Sequence, residues 1–193
     1  PEKEANKGEG INATRDISDY TLMAYCMDKN IPTFAVCRGE QVMGIVAGCK
    51  FMQDIPTYYA SKGAVYHDTH RMPVGVKNRT YARHDVEITN TKSHLYDIVG
   101  ANSLANVSSW HHQAIADIKG TELVQTARTI KDGVEIVEGI ENPHKTFCVG
   151  VQFHPENDCK LVLVEGKTSP CNVDVCLNFF KTLVKYAAQA KAK

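Results

Sequence analysis

Between Asp16 and Lys29 apolar residues recur at helical spacing, with Ile17, Tyr20, Leu22, Met23, Tyr25 and Met27 broadly along one side and Asp and Ser residues in the first turn. This predicts an amphipathic helix. The run IPTFAV that follows is short, apolar and proline-led, and predicts a buried strand. RGEQVMGIVAG then joins good helix formers to apolar positions at helical spacing, so Cys37 falls at a strand-to-helix junction. Residues 49–84 lack any sustained period and are rich in Gly, Pro and polar residues. They are expected to be mostly loop, lying over a functional site rather than inside the core.

Further on, DVEITN alternates as a strand and HLYDIVG reads as one or two helical turns. ELVQTARTI and GVEIVEGI read as two strands joined by the turn residues Lys131, Asp132 and Gly133. TFCVGVQF is almost continuously apolar, which predicts burial on both faces in the middle of a parallel or mixed sheet. The closing stretch places Val175, Leu177, Phe179, Phe180, Leu183 and Val184 where a helix docked on that sheet needs them. No internal repeat is visible.

Length and composition narrow the function classes. At 193 residues one domain spanning 1–193 is expected, with residues 1–14 a polar lead-in or processed end. The 22 basic and 22 acidic residues balance, and no Lys/Arg block exists to track a phosphate backbone, so no nucleic-acid partner is expected. No apolar run approaches the roughly 18–20 residues of a membrane span. The seven cysteines, at 26, 37, 49, 148, 159, 171 and 176, have no scaffold-like spacing, which predicts free thiols in a reducing, cytoplasmic compartment. Sequons at Asn12, Asn78 and Asn106 would matter only in a secreted chain. The chain starts at Pro1, which suggests that a preceding segment was removed; a secreted or lysosomal location is the alternative if that segment was a signal.

Cys37 is the thiol whose surroundings differ. On a tight strand-to-helix turn, backbone amides and the positive end of the helix favour an anion, and the side chain is thrust above the sheet edge. Small neighbours are required, and Ala35 and Gly39 supply them. A buried cysteine ahead of a helix would write the same letters. His154 and Glu156 follow the strongest strand, and alternation along an extended chain would put them on one side, a carboxylate holding one imidazole nitrogen while the other faces a thiol. The plain alternative is a capping His and a surface Glu.

Together, Cys37-Arg38-Gly39-Glu40-Gln41 and Gly150-Val151-Gln152-Phe153-His154-Pro155-Glu156 resemble the class I glutamine amidotransferase superfamily. The branch most similar is the gamma-glutamyl-gamma-aminobutyrate hydrolase, or peptidase C26, group. QDIP at 53–56, VSSWHHQAI at 107–115 and DGVEIVE at 132–138 carry that likeness in the right order. The resemblance implies an α/β, three-layer, flavodoxin-like fold with a mostly parallel central sheet, helices on both faces and a smaller antiparallel element. It implies Cys37 as nucleophile, His154 as general base and acid, and Glu156 as the residue orienting His154. The Arg38 amide corresponds to an oxyanion donor. Gln41, Ser109, His111 and His112 correspond to the glutamyl pocket, although one structural and one exposed histidine would explain His111 and His112 equally well. No cofactor is implied.

This sequence departs from the family in two places. The family's first strands, with the turn that gives a second oxyanion donor, are not represented; losing such a donor costs ~10²- to 10³-fold in rate. A second polypeptide supplying those strands is therefore one expected partner, beside the small gamma-glutamyl substrate and a homo-oligomer. The segment 157–176 is longer than expected and is read as a hairpin near the site. The implied activity is hydrolysis of a gamma-glutamyl amide through a thioester; the alternatives are a glutaminase subunit feeding ammonia to a synthetase and a non-catalytic relative. A zinc-deaminase reading of His154-Pro-Glu156 with Cys171 and Cys176 fails, because four residues rather than two separate the cysteines. No pair among His67, His70, His84, His111 and His112 has a recognised ligand spacing on a predictable helix, so no metal is expected and His67 and His70 are read as solvated.

Overall fold

Asn12 opens the first helix: its side chain accepts from the Arg15 amide, satisfying one of the unpaired first-turn donors. In the computed structural model, which describes residues 10–191, this helix is α1, Ala13–Asp28. Ala13 and Thr14 are thus helical rather than part of the polar lead-in, and residues 1–9 of that lead-in lie outside the described residues. Its buried stripe is narrower than the sequence suggests. Met23, flanked by Tyr20 and Met27, packs inward, while Ile17, Leu22 and Tyr25 are exposed. Spacings of three and four hold the first trio on one face, and the second trio falls outside it.

The chain continues through β1 (Thr33–Val36), α2 (Arg38–Val46), β2 (Lys50–Met52), α3 (Ile55–Ser61), β3 (Ala82–Ile88), α4 (His94–Val99), β4 (Ser103–Ser109) and β5 (Ala114–Asp117). It closes with β6 (Val124–Lys131), β7 (Val134–Glu141), β8 (Cys148–Val151), α5 (Pro155–Cys159), a π-helical turn (Lys160–Val164) and α6 (Val173–Lys191). The main sheet has six strands in the order β1-β8-β7-β6-β3-β4, and β2 pairs with β5 in a separate antiparallel ribbon. Asp132 and Gly133 both take positive φ, 52° and 74°, which gives the tight β6–β7 hairpin the twist its strands need.

The α/β layering and the small antiparallel element agree with expectation. α1 and α2 cover one face of the sheet through Met23, Val42 and Met43. α4 and α6 cover the other through Leu95, Ile98, Val99, Cys176 and Phe179. β8 lies between them and is buried throughout, as its apolar run requires. The parallel share is smaller than expected. Only β1 and β8 run parallel in the described sheet; the remaining pairings are antiparallel, because β6 and β7 form a hairpin and β3 and β4 are joined through the short α4.

Two further expectations give way. Residues 49–84 are not simply a surface loop: Met52, Ile55 and Tyr59 pack with Ala114, Val134 and Ile136 as a third cluster. Residues 157–176 form no hairpin. They complete α5, make the π-turn and return to α6, anchored by buried Asp158, which accepts from Arg83 and from Ser169.

Candidate active site

The nucleophile elbow is built by two neighbouring strands. The Cys37 amide donates to Val151 O of β8 at 2.8 Å, extending the β1–β8 ladder by one bond before α2 begins. Cys37 then takes φ 51° and ψ −105°, a conformation that L-residues other than glycine rarely occupy. A Cβ on Gly39 would stand 3.4 Å from the Ala35 Cβ, so the elbow has space only for small residues on either side. As the first helical residue, Arg38 contributes an amide with no intrahelical acceptor, and its guanidinium turns away to Asp16 and Asp19 of α1 at 2.7 and 2.9 Å.

β8 leads into α5, whose N-cap is His154 and whose first residue is Pro155. The His154 amide donates to Ser108 O, which ties this helix start to the end of β4. His154 Nδ1 stands 2.6 Å from Glu156 Oε1. The expected pair therefore forms, although on a helical first turn rather than on an extended segment. Burial alone would lower the imidazole pKa; the Cys37 side chain and the Glu156 carboxylate outweigh it and push His154 up to about 10. Nε2 is buried without a partner at hydrogen-bonding geometry, so nearness of charge rather than an aligned bond couples it to Cys37. Catalytic hydrogen bonds are often this loose before substrate arrives.

Side chains from the irregular segment before β3 surround this pair. The Tyr81 ring meets His154 edge-on at 5.1 Å and Trp110 at 5.5 Å, and Arg79 lies over the Trp110 ring at 4.6 Å. The Trp110 carbonyl accepts from the Cys37 thiol at 3.9 Å. Sequence reasoning missed Tyr81 and Trp110, since an aromatic in loop text carries no periodic signal.

The remaining predicted residues separate into two groups. Gln41 and His112 line a cavity of about 290 Å³ beside the elbow, together with Arg38, Gln53 and Gln113. The Gln41 amide donates to Gln152 Oε1 and Gln113 O, so it is held firmly. Ser109 and His111 turn inward: Ser109 Oγ donates to His70 O, and His111 Nδ1 bonds Gln113 O. His111 joins His70, His84 and Glu138 in a wholly buried cluster. The solvated reading of His70 is thereby corrected: its side chain is 0% exposed because Tyr66 stacks on it and its neighbours enclose it. Burial holds His70 down to about 4, lowers His84 and His111, and pushes Glu138 up to about 7.

A cysteine elbow on a mixed α/β sheet, with a His–Glu pair at the end of the adjacent strand, defines a class I glutamine amidotransferase-like protein. The chain belongs to the Peptidase C26 family, which its residues 1–156 match. It is 35% identical over 145 residues to Protein NtpR of Enterococcus hirae, covering 75% of this chain and 55% of that one. It is 32% identical over 142 residues to a Mycobacterium tuberculosis protein provisionally named a glutamine amidotransferase, covering 74% and 41%. The chain thus spans about half the length of these relatives. In fold it is similar to a GMP synthase subunit of Thermoplasma acidophilum, at TM-score 0.59 and 12% identity, covering 93% of this chain and 69% of that one. The glutaminase domain of Trypanosoma brucei CTPS with bound acivicin also has TM-score 0.59, at 20% identity, covering 91% and 69%.

Proposed function

We propose that this chain carries the catalytic half of a cysteine-dependent hydrolase that cleaves a gamma-glutamyl amide. The observation that supports it best is the convergence on Cys37 of an imidazole whose second nitrogen is already held by a carboxylate. The Cys37 sulfur attacks the amide carbonyl, and the Arg38 amide at the start of α2 donates to the oxygen that gains charge. His154 passes its proton to the departing amine, leaving a glutamyl thioester. Water then attacks the thioester, His154 takes the water proton, and the carbon–sulfur bond breaks to release glutamate and restore the thiol. The cavity lined by Gln41 and His112 lies beside the elbow and suits the polar end of the glutamyl group.

A second reading, a glutaminase that passes ammonia to a synthetase, draws on the provisional name of the Mycobacterium tuberculosis relative. The full protein, assayed on gamma-glutamyl-aminobutyrate and on glutamine, distinguishes the two. Turnover of the first substrate without any partner, lost by at least ~10³-fold in Cys37→Ala, is expected. Activity that survives this substitution would reject covalent catalysis, and strict dependence on a synthetase would favour the second reading.

A further inference from the structure

Behind the elbow, four side chains from distant parts of the chain aim polar atoms at one point. His70 comes from the irregular segment before β3, His84 from β3, His111 from the β4–β5 connection and Glu138 from β7. Their ligand atoms all lie within 4.8 Å of one another. Glu138 Oε1 stands 3.1 Å from His70 Nδ1, 3.6 Å from His84 Nε2 and 3.9 Å from His111 Nε2, yet none of these contacts has hydrogen-bond geometry. Glu138 has both oxygens buried without a partner at hydrogen-bonding geometry, in a side chain that is 0% exposed. Proteins rarely leave so many buried polar atoms unsatisfied.

We propose that His70, His84, His111 and Glu138 bind one divalent transition-metal ion of the zinc type. Nitrogen and oxygen ligands at ~2.0–2.1 Å around a tetrahedral ion stand ~3.4 Å apart. The three distances from Glu138 bracket that edge, so a small contraction closes the shell. Outer contacts orient the rings. His111 Nδ1 donates to the Gln113 carbonyl, which leaves Nε2 with the lone pair, and His84 Nδ1 is engaged by Thr129 Oγ1 at 3.0 Å and Asp85 O at 3.3 Å, with the same consequence. His70 Nε2 keeps no partner of its own. Three imidazoles and one carboxylate suit zinc, cobalt or iron(II) better than calcium or magnesium, which prefer all-oxygen shells.

With four protein ligands and no open position, the ion would be structural. It would pin the segment that carries Arg79 and Tyr81, and it would fix His111 next to Trp110, whose carbonyl meets the Cys37 thiol. The site is therefore a positioning device for the elbow's surroundings. A competing thiolate cluster, Asp158 with Cys171 and Cys176, lies elsewhere in the chain and gives a different spectrum.

Elemental analysis of the full protein after gel filtration is expected to find about one equivalent of metal per chain. Cobalt(II) added to chelator-stripped protein is expected to give the intense visible absorption of a four-coordinate centre without thiolate-to-metal charge transfer. X-ray absorption is expected to show only nitrogen and oxygen neighbours at ~2.0–2.1 Å. Glu138→Gln is expected to weaken cobalt binding by more than about 100-fold, while a Cys171→Ser/Cys176→Ser variant keeps it. Folded native protein that neither carries metal nor develops the cobalt band would overturn the proposal, as would sulfur ligation. These measurements need no turnover, and the native protein decides the matter even if Glu138→Gln fails to fold.

Discussion

At the scale of single residues, the candidate chemistry depends on which groups surround one imidazole. His154 is pulled one way by burial and the other by Cys37 and Glu156, and the two partners prevail. Replacing Glu156 with Gln removes one raising partner and keeps the side chain's shape. The His154 pKa is therefore expected to fall, which moves the alkaline limb of kcat/KM to lower pH and reduces its maximum by ~10²- to 10⁴-fold. A pH–rate profile beside an NMR titration of the imidazole checks this; an unmoved alkaline limb would deny Glu156 an orienting role. The sequence displayed the pair but not the route to it. Alternation along an extended chain suggested that His154 and Glu156 share a side, whereas Pro155 starts a helix and brings Oε1 back to Nδ1. Pro is favoured at a helix's first position, so the letters were there to be read that way. His70 was legible in neither sense, since its burial depends on partners more than ten positions away.

At the scale of elements, the elbow is the place where local preference and function disagree. β1, α2, the β6–β7 hairpin, β8 and α6 were legible because each keeps one period or carries an unambiguous turn; Asp132-Gly133 is the plainest case. β4 and β5 were not, since SLANVSS mixes polar and apolar residues without clear alternation and β5 has only four residues. Cys37, by contrast, holds φ 51° and ψ −105° against its own preference. Backbone strain of this kind costs ~1–3 kcal/mol in a residue with a Cβ, and glycine at the same place escapes it while losing ~0.5–1 kcal/mol to its freer unfolded chain. Cys37→Gly is accordingly expected to stabilise the fold by about 1 kcal/mol, a rise in Tm of ~2–4 °C, while abolishing activity. Cys37→Ala keeps the strain and should leave Tm nearly unchanged. Calorimetry on the two variants separates them; equal melting would mean that the elbow stores no strain.

At the scale of the whole molecule, one ion pair joins the sheet to the helical layer that α4 and α6 form. Glu141, almost fully buried at the end of β7, accepts from the His94 amide at 2.9 Å and lies 2.6 Å from His94 Nδ1. The His94 ring in turn meets Phe147 and Tyr186 edge-on, which connects α4 to α6. The hydrogen bond to Glu141 raises the His94 pKa and more than offsets the opposing effect of burial. A histidine whose folded pKa exceeds its unfolded value binds its proton more tightly when folded. Its contribution is therefore complete below the ordinary value of ~6.5 and fades as pH rises through the folded one. Because His94 keeps a quarter of its side chain in solvent, screening limits the contribution to ~0.5–1.5 kcal/mol. Urea unfolding of the native protein and of His94→Gln is expected to show that gap on the acid side of neutrality, closing towards alkaline pH. The opposite layer, where α1 and α2 cover the sheet, has no such titrating link among the described residues that carries a raised histidine. A gap that stays constant across the range would mean that packing of the ring on Phe147 and Tyr186, rather than the charge it shares with Glu141, holds this layer to the sheet.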